Sequence, residues 1–237
     1  MSTLRVIEIL DRAHQGITRP FLCLCDDGGD YYVKGAYAGR RGLVAEFIAG
    51  RLAVGLDLPI PRFAVVDVPG EVIAMSSRDD RKDLGAGPAF ASRVVRDSVE
   101  LRYAEVSSLS EELCARILLF DWWILNGDRT LSEHGGNPNL LRRRSDRSLH
   151  IIDHNLAFDP EAVRHFWTQH IFRWARRHWT ASFRAGLEGR MKPLLEQLAV
   201  LWRELPDDWA EAVDQGQSAI RRVLARLVED PGAFWSS

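Results

Sequence analysis

Cysteine is scarce in this chain. Cys23, Cys25 and Cys114 are the only three in 237 residues, too few for a disulfide framework and suited to a reducing compartment. Cys23 and Cys25 fall on one face of an expected strand without the spacing of a zinc site, so buried structural thiols are expected. An excess of charge of either sign is also missing: 31 Lys and Arg face 33 Asp and Glu, a net charge of -2. This gives no global basic surface for nucleic acid. The cluster Arg142-Arg143-Arg144 with Arg147 reads as a solvated hairpin tip. No apolar run reaches transmembrane length, and the first residues lack the apolar core of a secretory signal. A soluble, cytoplasmic protein with no membrane partner is expected. Repeats and low-complexity segments are absent too. What is present is 46% hydrophobic residues, enough for one large domain or two lobes with a core each.

The first part of the chain reads as β-rich. Leu4 to Leu10, Phe21 to Cys25, Tyr31 to Lys34, Arg62 to Val68 and Glu71 to Met75 predict five strands, with a turn at Asp26 to Asp30 and a joint at Pro69-Gly70. Between them, apolar residues at 43, 44, 47, 48 and 52 predict a helix over Leu43 to Val54. Ala89 to Val95 is ambiguous, with a connector on which an adenine would rest as one reading. The later part reads as helical. Ser110 followed by Glu111-Glu112 predicts a capped helix start, and an apolar run continues from Leu113 to Leu125. Further helices are predicted from Pro160 to about Arg177, Gly186 to Glu204 and Gln217 to Glu229. His165 and His170 are wrongly spaced for adjacent helical metal ligands, so an aromatic core role is expected there.

The polar residues that interrupt this pattern carry the chemistry. Asp128 follows the expected helix, Asn137 and Asn139 come one loop later, and Asp153 ends the apolar strand Leu149 to Ile152. Phosphoryl transfer needs such parts: one carboxylate for the acceptor hydroxyl, and an amide oxygen with a second carboxylate for a metal on the phosphates. Asp128 is therefore the candidate catalytic carboxylate, with Asn137 and Asp153 as candidate metal ligands. Asn139 is expected to work for the backbone at the start of the pairing strand, leaving Asn137 toward the cleft. Upstream, Lys34 ends a strand and Glu46 lies early in the next helix, a pairing that aims an ammonium at nucleotide phosphates. Each fragment also fits a plainer role. Asn126-Gly127 suits a hairpin turn, Asp153 a turn, Lys34 an edge strand and Glu46 a helix N-terminus. The loop His14 to Pro20 has a single glycine, Gly16.

Taken together, Gly16 to Pro20, Val33-Lys34-Gly35, Glu46, Leu58 to Pro61, Asn126 to Thr130, Asn137 to Leu141 and Ile152 to Phe158 resemble the HipA-like kinases, bacterial relatives of the HipA toxin. The resemblance implies an α+β, two-lobed protein-kinase-like fold: a small β-rich nucleotide-binding lobe over residues 1–96 and a mainly helical catalytic lobe over residues 97–237. It implies ATP and Mg²⁺ as cofactors. Lys34 would contact the nucleotide phosphates and pair with Glu46. Gly16, Ile17, Thr18 and Arg19 would form the phosphate loop, Asp128 would be the catalytic base, and Asn137 and Asp153 would hold the metal. The family places its metal asparagine about five residues after the aspartate; here the spacing from 128 to 137 is nine, so Leu131 to Gly136 carries an insertion. The implied function is an ATP-dependent phosphotransferase acting on a hydroxyl, serine or threonine of a protein, with an antitoxin-like partner possible. Alternatives from other classes are an ATP-binding pseudokinase or regulatory module, and a lipid or small-molecule kinase.

Overall fold

The computed structural model describes residues 4–13 and 18–236. Five strands, β1 (Leu4–Arg12), β2 (Phe21–Cys25), β3 (Asp30–Lys34), β4 (Phe63–Val68) and β5 (Gly87–Arg93), close into a barrel in the order β1-β2-β3-β5-β4. Period-two burial drives the closure. Phe21, Cys23 and Cys25 point inward from β2 while Leu22 and Leu24 are half-buried, and β3 places Tyr31 and Val33 against them. Side chains of this kind fill a small barrel completely. Burial pushes the Cys23 and Cys25 thiols up to about 12, with the neighbouring thiol and acids adding to it; they are inert packing, as expected. At the β2–β3 turn, Asp27 accepts the Gly29 N–H at 2.9 Å and the Tyr31 hydroxyl at 2.8 Å.

Helix α1 (Gly39–Gly55) leaves β3 and packs its long buried face between the barrel and the rest of the chain. Glu71 to Met75, expected as a strand, is instead helix α2 (Gly70–Met75). Pro69 starts it, its carbonyl accepting the Val72 N–H at 3.1 Å. A helical turn lets the adjacent pair Val72 and Ile73 both pack on the barrel interior, whereas a strand would send one of them out. The fifth strand is β5, from the stretch that is ambiguous in the sequence and has a connector as one reading.

After the barrel, β6 (Ser98–Glu100) hydrogen-bonds to a distant hairpin. Helix α3 (Glu111–Trp123) follows, with Ser110 as its N-cap accepting the Leu113 N–H at 3.4 Å. It is buried nearly all round, as the centre of a core must be. Two hairpins come next: β7 (Thr130–Ser132) with β8 (Gly135–Asn137), and β9 (Leu140–Arg143) with β10 (Leu149–Ile151). The sheet order β10-β9-β6 ties residues 98–100 to the second hairpin. Its tip is solvated at Arg144 and Arg147, but Arg142 turns inward and donates to Ser108 Oγ at 2.9 Å.

No continuous helix runs from Pro160 to Arg177. The segment breaks into a 3₁₀ turn (Pro160–Val163), the short helix α4 (Phe166–Gln169) and a second 3₁₀ turn (Arg173–His178). Tertiary contacts break it: His170 bridges to Thr130, and the Ile171 N–H bonds the Arg129 carbonyl at 3.0 Å. The tail forms α5 (Ala181–Glu196), α6 (Leu198–Arg203), α7 (Asp207–Ala212), α8 (Gly216–Glu229) and α9 (Pro231–Ser236). The helix expected over Gly186 to Glu204 is thus divided at Gln197 and begins earlier, where Thr180 caps it. Indoles fasten α3 to this tail: Trp122 and Trp123 each donate at 3.0 Å to the carbonyls of Phe234 and Leu224. Among the described residues, no helix is long and apolar enough to cross a membrane.

Candidate active site

The end of β3 delivers the first candidate side chain. Lys34 is buried, and Gly35 after it lets the chain pass against the Leu84 carbonyl; a Cβ there would lie 1.9 Å from that oxygen. Opposite, α1 buries Glu46. The Lys34 ammonium hydrogen-bonds Glu46 Oε1, and Asp153 Oδ1 at 2.8 Å. The other Glu46 oxygen accepts the His154 backbone N–H at 3.1 Å. Burial works against the Lys34 charge, but the two carboxylates outweigh it and hold its pKa above the ordinary lysine value. Burial likewise opposes ionisation of Asp153, yet Lys34 keeps that carboxyl below its usual range. Glu46 is pushed upward by burial, against the pull of Lys34. One ammonium therefore faces two acids across the junction of barrel and helical part.

Asp128 sits in the turn after α3. Its Oδ2 accepts the side-chain amides of both Asn137 and Asn139, each at 2.9 Å. The sequence predicts Asn139 to be drawn into backbone work or onto a strand face, but its side chain reaches Asp128. It precedes β9 with φ of 49°, a left-handed conformation that asparagine tolerates. Its backbone carbonyl is also engaged, by Arg129 and by the Ile152 N–H. Both asparagines thus reach Asp128.

A cavity of about 500 Å³ gathers these groups, a size suited to a small-molecule ligand. Lys34, Glu46, Asp153, Asn137, Asn139 and Thr18 line one part of it. Asp128 does not line it and meets it only through the two asparagines. Another part of the wall is apolar, with Ile60, Ile151 and the stacked rings of Phe63 and Phe90, 5.7 Å between centroids, and a third carries charged residues, among them Arg93, Arg96, Asp97 and Glu100. Of the expected phosphate loop, Gly16 and Ile17 lie outside the described residues. Thr18 is on the cavity wall, while the Arg19 side chain is exposed and away from it. Arg12, which the sequence did not single out, anchors the loop. Its buried guanidinium donates to the Arg19 carbonyl at 3.0 Å and to Asp80 and Asp83 at 3.1 and 2.7 Å.

Sequence reasoning also missed a buried cluster behind the site. Asp121 and Arg129, both 0% exposed, form a two-pronged ion pair at 2.7 and 3.2 Å. Asn126 and His170 donate to the same carboxylate at 2.9 and 3.0 Å. The Phe172 N–H donates to His170 Nδ1 at 3.1 Å, which fixes the proton on Nε2. His170 therefore does more than pack among aromatic rings. Burial drives its pKa down, against the pull of Asp121. His154 is likewise kept neutral, pushed down to about 3 by burial and by the Arg129 charge. The available signal was Asp121 itself, an acid within the otherwise apolar run of α3.

The model of the HipA-like kinase family matches residues 6–237. The chain belongs to that family. Its fold is accordingly protein-kinase-like, with a β-rich N-terminal part and a helical C-terminal part, and membership supports a kinase-like phosphotransferase. Similar solved structures include the Helicobacter pylori proinflammatory kinase CtkA, at 11% identity over 87% of this chain and 89% of that one, TM-score 0.43. Another is CtTel1 in its open conformation, at 12% identity and TM-score 0.33, covering 94% of this chain but only 11% of that one. A third is the FAT and kinase domain of CtTel1, at 12% identity and the same TM-score, covering 96% of this chain and 22% of that one. No curated protein sequence matches the chain.

Proposed function

We propose that this protein is an ATP- and Mg²⁺-dependent kinase that transfers the γ-phosphoryl group to a hydroxyl, serine or threonine of a protein. One observation carries the reading: Lys34 is shared between Glu46 and Asp153 on the wall of the cavity that Asn137 and Asn139 also line. In this reading the residues up to 96 form the nucleotide lobe and those from 97 onward the catalytic lobe. Phosphoryl transfer is mostly positioning and charge stabilisation, which is what these groups supply.

The donor set suits a hard cation. Each asparagine spends its NH₂ on Asp128, because a flipped amide would oppose two oxygens; the carbonyl oxygens of Asn137 and Asn139 are left as acceptors. With the Asp153 carboxylate, all donors are oxygen, which Mg²⁺ takes, and this ion needs few protein ligands because substrate phosphates and water complete its shell. Among the described residues no group of three or more His, Cys, Asp or Glu is placed to hold a metal. When bound, the ion neutralises charge on the phosphates. Lys34, fixed by Glu46, holds the phosphates, and the Thr18 hydroxyl meets them from the cavity wall. Phe63 and Phe90 provide apolar surface for the base. Asp128 Oδ1 makes no hydrogen bond to the described residues and accepts the proton of the incoming hydroxyl. Family membership supports an antitoxin-like protein partner beside the acceptor. The test is phosphate transfer from ATP to proteins of a kinase-inactivated lysate, read by mass spectrometry. Transfer that depends on Asp128 supports the reading; nucleotide binding without transfer turns it toward a pseudokinase.

A further inference from the structure

Arg129 stands next to the proposed base but takes no part in the chemistry above. It is fully buried, and every arm of its guanidinium is engaged. Nε and Nη2 hold Asp121, and Nη2 also lies 3.4 Å from His154 Nε2. Nη1 donates to three backbone carbonyls: Asn139 at 2.6 Å, Pro138 at 3.3 Å and Ile152 at 3.5 Å. No donor is left to touch a substrate.

Those carbonyls have a common feature. Pro138 lies between the two asparagines, Asn139 is one of them, and Ile152 immediately precedes Asp153. Asn139 and Asp153 both have left-handed backbones, with φ of 49° and 58°. Such conformations are unfavourable for residues other than glycine and persist only where their surroundings over-determine them. The Arg129 fork supplies that constraint on both segments at once. We infer that Arg129 is a positioning residue, which sets the backbones of Asn139 and Asp153 so that their side chains meet one cation. The inference rests on the reading of Asn137, Asn139 and Asp153 as the Mg²⁺ set.

Asp121 makes the arrangement rigid. It accepts from Arg129, Asn126 and His170, so its oxygens are fully used and the guanidinium has one orientation. An ion pair serving only as filling would be replaceable by apolar side chains of similar size. Apolar side chains donate to no carbonyl, and lysine cannot reproduce the planar fork.

The experiment is calorimetric titration of ATP into wild type and Arg129→Lys, once in EDTA and once in excess Mg²⁺. Partners of metal ligands typically change metal affinity by about 10- to 100-fold. Arg129→Lys is therefore expected to keep its affinity for ATP in EDTA while losing at least about tenfold of the strengthening that Mg²⁺ gives. A folded Arg129→Lys with undiminished strengthening overturns the inference. If that variant does not fold, Asp121→Asn takes its place; it keeps the size and the acceptor oxygen and loosens the fork. The same direction of change is expected, and unaltered Mg²⁺ strengthening overturns the inference. Failure of the underlying kinase reading is seen in wild type instead, as no ATP binding or no response to Mg²⁺.

Discussion

Two ionic clusters lie side by side in this protein and are built differently. Around Lys34, one cation meets two carboxylates, on a cavity wall where the Asp153 side chain keeps 24% of its exposure. Around Arg129, one cation meets one carboxylate, both at 0%, and neutral groups from Asn126 and His170 fill the remaining positions. The first cluster sets two acids against one cation in a place of low dielectric, where a further cation would favour the ionised form of Glu46. The second is neutral and complete. A complete buried pair is framework; an incomplete one beside a cavity is a ligand site. Loss of the first should therefore register in binding and turnover, and loss of the second in stability and, through the Asn139 and Asp153 backbones, in the response to Mg²⁺.

The sharpest break between the two is Asp128→Asn. It removes the proposed base while leaving both clusters intact, so transfer should fall by at least about 100-fold with MgATP affinity near wild type. Steady-state and binding measurements on the same preparation check this. Next is Asp121→Ala, which strands the Arg129 charge in the core and should cost roughly 3–5 kcal/mol in denaturant unfolding. Lys34→Met is the counterpart on the cavity side. It should abolish most transfer but destabilise less than Asp121→Ala, because burial already favours the protonated form of Glu46. Equal destabilisation by the two would erase the distinction drawn here.

Asn137→Ala and Asn139→Ala should each raise the Mg²⁺ concentration needed for activity, because both amides are set on Asp128. Asn139→Ala should in addition lose about 1 kcal/mol of stability, since alanine tolerates the left-handed backbone poorly. The smallest effect is on pH. His170 has a depressed pKa when folded, so below about pH 6.5 the unfolded chain takes up a proton that the folded chain refuses. Stability should then fall by up to about 1.4 kcal/mol per pH unit on acidification. His154, depressed as well, adds a slope of the same sign, so His170→Gln should lessen the measured slope by its own share, which urea unfolding between pH 7.5 and 5.5 would reveal.

Much of the cavity side was legible in the sequence, because its residues interrupt regular patterns. Lys34 ends an alternating strand, Glu46 breaks an apolar helical face, and Asp153 closes an apolar run. Pattern singles these residues out; that they share one site is what the resemblance to HipA-like kinases implied. The framework side was hidden. Arg129 in a polar turn looks like a surface arginine, and only the fold reveals that its fork faces three carbonyls. Arg142, in a run of arginines, is buried for a similar reason: the β6–β9 pairing brings Ser108 and Glu105 to it. Local pattern also misjudged Glu71 to Met75, where two adjacent apolar residues fit a helical turn as well as a strand. At His170 the helical period continues on paper, but contacts from Thr130, Arg129 and Asp121 take the backbone elsewhere.

The central claim, that the two-acid cluster at Lys34 serves phosphate transfer, is tested most directly by phosphosite mapping. Proteins of a kinase-inactivated lysate are incubated with MgATP and either wild type or Asp128→Asn, then analysed by mass spectrometry. The account predicts phosphoserine or phosphothreonine sites that appear with wild type and not with the variant. Identical maps for the two proteins, with wild type folded and binding MgATP, would contradict it.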